Sequence, residues 1–131
     1  MIRMKVKKDS NTVVKVVVID SKNRILLLKR SVDHKKYPGA RDLPGGHTKQ
    51  GESIEKGLKR EVYEETGLKV KHAVFFKKVE NKYFYHMKYD FQKIKLSSEH
   101  ISYGFYAKEN LNKSNKFEKI ALEVLEMIQG D

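Results

Sequence analysis

Glu61, Glu64 and Glu65 stand at spacing i, i+3 and i+4, so on a helix all three carboxylates project from one side. Like charges at this spacing destabilise an isolated helix by a few tenths of a kcal/mol per pair. The cluster therefore makes sense beneath something cationic. Lys59 and Arg60 are near in sequence, but a hard, oxygen-preferring dication such as Mg²⁺ or Mn²⁺ matches three carboxylates better. A solvated acidic helix face is the plainer alternative, and the surroundings decide between them. Gly45-Gly46 can bring backbone close to a phosphate or a metal, where a Cβ would block the approach. Glu52 can pair with Arg60 and brace the preceding loop against the helix through a bidentate contact.

The elements that must position these residues follow from the pattern. Ser53 to Thr66 reads as a helix, with Ser53 as N-cap, an apolar stripe at Ile54, Leu58 and Val62, and Gly67 where a left-handed cap belongs. The stripe buries the face opposite the glutamates. Val13 to Ile19 and Ile25 to Leu28, joined by Ser21-Lys22-Asn23, read as a buried hairpin. Residues 1–8 alternate weakly, as an edge strand does. Ser31 to Gly51 carries both prolines and four of the eight glycines and reads as a long functional loop. Strands are expected at Val70 to Phe76, at Tyr83 to Phe91 with its alternate residues on one face, and at Ile101 to Ala107 after a Ser97–His100 loop. Phe117, Ile120, Ala121, Val124, Leu125 and Ile128 mark an amphipathic closing helix. Helices at two separated places around a mixed sheet imply an α/β sandwich.

Composition narrows the function classes. The 131 residues fit one domain, 1–131. No run approaches the roughly 18 apolar residues of a membrane span, and MIRMKVKK is not followed by the apolar stretch of a signal peptide. A cytoplasmic protein, or one of the host cytoplasm if the source is a virus, is expected. With no cysteine, disulfides, Cys-ligated zinc and thiol catalysis are excluded. The net charge of +11 attracts polyanions, with nucleotides, RNA and DNA as the candidates. A Lys-rich solvated surface is the bland reading of the same number. The sequence leaves monomer and homodimer open.

The segment GGHTKQGESIEKGLKREVYEETGL, from Gly45 to Leu68, resembles the Nudix signature, G-x5-E-x7-R-E-U-x-E-E-x-G-U, with U a bulky apolar residue. Gly46, Glu52, Arg60, Glu61, Val62, Glu64, Glu65, Gly67 and Leu68 fill it without departure. A chance match to its seven fixed letters is on the order of one in 10⁸ per starting position. The resemblance implies an α/β/α sandwich around a central mixed sheet and a pyrophosphohydrolase. Glu61, Glu64 and Glu65 would bind Mg²⁺ or Mn²⁺ with a carbonyl of Gly45 or Gly46, while Glu52 and Arg60 would be structural braces. It does not single out which glutamate takes the proton; Glu65 is our choice. Arg30 stands where relatives place a basic residue on the substrate phosphates, although a solvated arginine fits as well. Glu99 stands where some relatives carry a further catalytic carboxylate. His47 and His100 are expected to be ordinary loop histidines.

Markers of the substrate are sparse. The proline of relatives acting on ADP-ribose is absent, and no NADH-type or coenzyme-A-type motif is visible. Tyr83 and Tyr85 fall where relatives acting on diadenosine polyphosphates carry a tyrosine that could stack on a base; packing in the core is the competing reading. Asp42-Leu43 occupies the place of an aromatic before Pro44. Nucleoside or deoxynucleoside triphosphates rank first as substrates, then dinucleoside polyphosphates, then the 5′ end of RNA. The rival classes are a non-catalytic nucleic-acid-binding domain, which has no reason to keep three aligned glutamates, and an isoprenyl diphosphate isomerase, which the missing cysteine opposes.

Overall fold

The chain contains long β-branched runs interrupted by two helical patterns, and the computed structural model arranges them as two helices on either face of one mixed sheet. It describes residues 8–33 and 38–130; the expected edge strand at the N-terminus lies almost wholly outside them. The strands are β1 (Asp9–Ile19), β2 (Ile25–Arg30), β3 (Arg41–Asp42), β4 (Gly45–Lys49), β5 (Val74–Val79), β6 (Lys82–Lys88) and β7 (His100–Tyr106). The helices are α1 (Ile54–Thr66) and α2 (Lys116–Gln129). None of the described helices is long and apolar enough to cross a membrane.

β1 organises the sheet. It pairs in parallel with β6 from Val13↔Lys82 to Ile19↔Lys88, and antiparallel with β4 over Val13↔His47 to Lys15↔Gly45. It meets β2 only at Ile19↔Ile25. β2 then turns away to pair with β3 and β7. Alternate side chains point to opposite layers. Val17, Ile19, Ile25 and Leu27 pack with Ile120, Ala121, Val124 and Leu125 of α2. Val14, Val16, Val18, Leu26 and Leu28 pack with Leu58 and Val62 of α1. Because both faces are covered, the Val13 to Ile19 part of β1 reads as an apolar run rather than an alternating one. The one polar residue within that run is Lys15.

Several expectations are corrected. The loop expected from Ser31 to Gly51 contains β3 and β4, because Gly45 to Lys49 finds a ladder along β1 that its turn-like composition does not announce. The strand expected at Val70 to Phe76 starts at Val74 and runs to Val79; His72 has φ 52°, which an extended strand does not allow. β6 stops at Lys88 instead of Phe91. Its parallel partner ends at Ile19, whose carbonyl takes a last bond from the Tyr89 N–H, and Phe91 then turns out with φ 65° and 77% exposure. His100 belongs to β7 and not to the loop before it. Ile101 and Tyr103 are exposed, so the alternation in β7 does not mark a wholly buried face.

Candidate active site

α1 forms where expected. The Ser53 hydroxyl accepts from the Lys56 N–H at 3.2 Å, and Gly67 closes the helix with φ 75°. Gly57 lets the helix approach β4 closely; a Cβ there would lie 2.5 Å from Thr48 Cγ2. The three glutamates lie at different depths, and the apolar stripe is not opposite all of them: Glu65, seven residues after Leu58 and three after Val62, shares its side. Glu65 is only 7% exposed, Glu61 is partly buried, and Glu64 reaches solvent.

Two glycines of β4 receive the deeper pair. The Glu65 carboxylate accepts from the Gly45 N–H at 2.9 Å, and a Cβ on Gly46 would lie 2.5 Å from Glu61 Oε2. Gly45 also has φ 131°, and its Cβ would collide with the Val14 carbonyl. The glycine pair thus accommodates the protein's own strand and carboxylates. Burial raises the Glu65 carboxyl to about 7, even though the Lys15 ammonium and the Gly45 N–H pull it down. Burial raises Glu61 too, with Arg60 opposing and Glu64 adding to the rise.

Arg60 joins the cluster to the loop. Its guanidinium grips Glu52 through Nε (2.8 Å) and Nη2 (3.1 Å), and Nη1 donates to Glu61 (3.1 Å) and Glu64 (3.0 Å). Nη2 also donates to the His47 carbonyl, while Glu52 accepts from the Lys49 N–H. The expected Glu52–Arg60 pair is present, and it ties α1 to β4 at two backbone points. Hydrogen bonding to Arg60 is the main cause that holds the Glu52 carboxyl below its ordinary range.

Behind β4 lies a buried polar cluster that sequence reading missed. Lys15 is 4% exposed. Its ammonium donates to Asp42 (3.1 Å), to the Leu43 carbonyl (3.1 Å) and to the Gly45 carbonyl (3.0 Å). Asp42 also pairs with Arg30 at 3.0 Å. Burial opposes ionisation of Asp42, but Lys15, His100 and Arg30 outweigh it and hold the carboxyl well below the usual range. His100 Nε2 stands 3.7 Å from Asp42, within ion-pair range but too far for a hydrogen bond, and neither ring nitrogen has a hydrogen-bond partner among the described residues. The available signal was a lysine inside VVKVVVI: a charge in a strand covered on both faces requires a buried counter-ion.

The remaining candidates disperse. Arg30 turns its guanidinium to Asp42 rather than standing as a solvated side chain. Glu99 is exposed just before β7, and its carbonyl accepts from the Ser31 N–H. Tyr83 and Tyr85 lie on β6, with Tyr85 buried against Leu58 and Lys59 of α1. Lys59 is two residues before Glu61, about 200° round the helix, so these tyrosines occupy the other flank.

The donors present fit a hard cation: carboxylate oxygens on one helix face, with Glu61 in the space a Gly46 Cβ would fill. Among the described residues, however, no three His, Asp or Glu side chains converge on one metal-sized point. Arg60 bridges Glu61 and Glu64.

A profile of the NUDIX domain matches residues 9–126, and the chain belongs to the Nudix family. Members of this hydrolase family generally use divalent metals. The chain is 45% identical over 51 residues to an ADP-ribose pyrophosphatase of Methanocaldococcus jannaschii, a match spanning 39% of this chain and 29% of that relative. A MutT protein from Methanosarcina mazei Go1 superimposes with a TM-score of 0.75 at 27% identity, covering 97% of this chain and 100% of that one. An Ap4A hydrolase of C. elegans shares the fold, with a TM-score of 0.66 at 18% identity over 90% of this chain and 96% of that one.

Proposed function

We propose that the chain is a divalent-metal-dependent pyrophosphohydrolase whose substrates are nucleoside or deoxynucleoside triphosphates. The observation that carries this reading is the setting of the α1 carboxylates against the β4 glycines: Glu65 is buried at the seam and accepts from the Gly45 N–H at 2.9 Å, Glu61 fills the space beside Gly46, and Glu64 reaches solvent. Glu65 takes the proton as water adds to phosphorus and the bridging P–O bond breaks, releasing phosphate or pyrophosphate and a shorter nucleotide.

Mg²⁺ or Mn²⁺ would be held by Glu61, Glu64 and Glu65 with a carbonyl of β4, and would supply charge neutralisation and a more acidic water. Gly46 suits that carbonyl role better than Gly45, whose oxygen already faces the Lys15 ammonium. Arg60 and Glu52 keep α1 and β4 in register. Arg30 is held inward by Asp42 and reaches substrate only by exchanging that partner. Glu99 serves as an auxiliary carboxylate from the β7 loop.

Triphosphates rank first because the ADP-ribose and coenzyme-A markers are missing. The likeness to an ADP-ribose pyrophosphatase and to an Ap4A hydrolase puts those compounds on the same panel. The test is product release from nucleoside triphosphates, an oxidised guanine nucleotide, diadenosine polyphosphates, ADP-ribose and 5′-triphosphorylated RNA, with Mg²⁺, Mn²⁺ or EDTA. Metal-dependent turnover of triphosphates, cut at least about 10²-fold by Glu64→Gln, is the expected result. No turnover of any compound by folded protein would sink the reading in favour of a nucleic-acid binder.

A further inference from the structure

The flank of α1 away from Arg60 borders a second feature. Leu58 and Lys59 face Lys71 and His72 across a pocket of about 490 Å³, with Tyr85 among its lining. The Tyr85 side chain is buried at the pocket wall, 7% exposed. From there an aromatic surface continues along the sheet. Phe75 stands edge-on to Tyr85 at 5.5 Å between ring centroids and lies 6.3 Å from Tyr83. Lys78 Nζ sits 5.1 Å from the centre of the Tyr83 ring. Phe75 is 50% exposed on β5, which ends the sheet. On the crest of α1, Tyr63 is 57% exposed. It lies one turn beyond Lys59 and three residues from Arg60, between the two flanks.

Two kinds of partner could cover such a shelf. A second copy of the chain in a two-fold contact would bring the patch holding Lys59, Lys71 and Lys78 against an identical patch, a repulsion that grows in a desolvated interface. A polyanion carrying flat aromatic groups meets the exposed rings and the lysines together. Glu55 at the pocket rim and Asp90, 3.5 Å from Lys71, reduce the local positive charge, but the chain as a whole carries +11.

We infer that the shelf is a docking surface for single-stranded nucleic acid, its bases stacking on Phe75 and Tyr83 and its phosphates running past Lys59, Lys71 and Lys78. Tyr63 carries the strand over the crest of α1 towards the glutamate flank. Docking needs no chemistry at Glu61, Glu64 or Glu65, so it stands apart from the hydrolytic reading.

Fluorescence anisotropy with a 3′-labelled, 5′-hydroxyl oligonucleotide of about ten residues, in EDTA, tests binding without turnover. Phe75→Ala is expected to weaken binding at least about 5-fold, the loss of one stacked base. Lys59→Ala and Lys71→Ala, both on the exposed rim, should each flatten the log–log salt slope by about 0.7. Triphosphate turnover and melting temperature of Phe75→Ala should match the wild type. RNA and DNA arms of one sequence identify the preferred polynucleotide, and tight binding of either supports the docking. The inference is overturned if wild-type protein binds neither, or if Phe75→Ala and both lysine variants bind as wild type. It is equally overturned if sedimentation shows a wild-type dimer that Phe75→Ala dissociates, which would make the shelf a self-contact.

Discussion

Arg60 and Lys15 both fasten β4, one from the solvent side and the other from inside the core. Arg60 uses a planar fork, so it can hold Glu52 bidentately and still reach Glu61, Glu64 and the His47 carbonyl. Its side chain stays 24% exposed, and water can replace any one of these contacts. Lys15 offers a compact charge to Asp42 and two carbonyls where water has almost no access. Polar contacts therefore mean different things in the two places. In the exposed cluster each contact adds little and can be exchanged; in the buried one each partner is required by the others.

Breaking the buried cluster should have the largest effect. Lys15→Met leaves Asp42 with Arg30 but without its ammonium, and should destabilise the fold by about 3–5 kcal/mol in denaturant unfolding. Adding Asp42→Asn removes the stranded charge and should recover part of that loss. A double variant no more stable than the single one would show that the ion pair is not what Lys15 supplies.

Glu65→Gln comes next. It removes a group that touches the buried cluster through Gly45 and should lower turnover at least about 10²-fold, near 2.7 kcal/mol in barrier. Its effect on stability has the opposite sign. Glu65 is raised from 4.5 to about 7 on folding, so the wild type loses stability as pH rises from about 4.5 to 7. The loss is complete above 7. In metal-free buffer the variant should therefore melt higher than wild type at pH 8 and level with it at pH 4. A pH-independent gap would contradict the burial of this carboxyl.

The smallest effect belongs to Arg60→Lys. A lysine keeps the charge but cannot grip Glu52 with two parallel bonds. A stability loss of about 1 kcal/mol is expected, shrinking as salt is added, whereas the loss in Lys15→Met should change little with salt. Equal salt dependence of the two would erase the distinction between them.

The contrast also explains what the sequence could disclose. The Arg60 cluster is legible because its members share a helix and the turn before it, where spacing converts directly to geometry. Ser53, Gly67 and the apolar stripe fix α1 for the same reason. The Lys15 cluster draws on β1, β2, β3 and β7, and no spacing rule brings Lys15 to Asp42 or His100 to Arg30. β4 was hidden because its glycines suit a turn, and its strand character comes only from the β1 edge beside it. The ends of β6 and β5 were likewise set by neighbours: Ile19 finishes β1, and β6 loses its ladder there. Depth along α1 follows from spacing as well: Glu65, seven residues after Leu58 and three after Val62, shares the side of the apolar stripe instead of opposing it, and is the buried glutamate.

β1 has a consequence for how the chain reaches this state. Its long parallel partner, β6, arrives more than sixty positions later in the sequence, so that edge cannot close early during synthesis. Contacts this distant are slow to form, and an open apolar edge invites pairing with other chains. A fragment stopped after α1 would carry Val13 to Ile19 with one side bare. It should aggregate during expression unless a segment spanning β6 is supplied in trans, which a soluble-fraction assay can read directly.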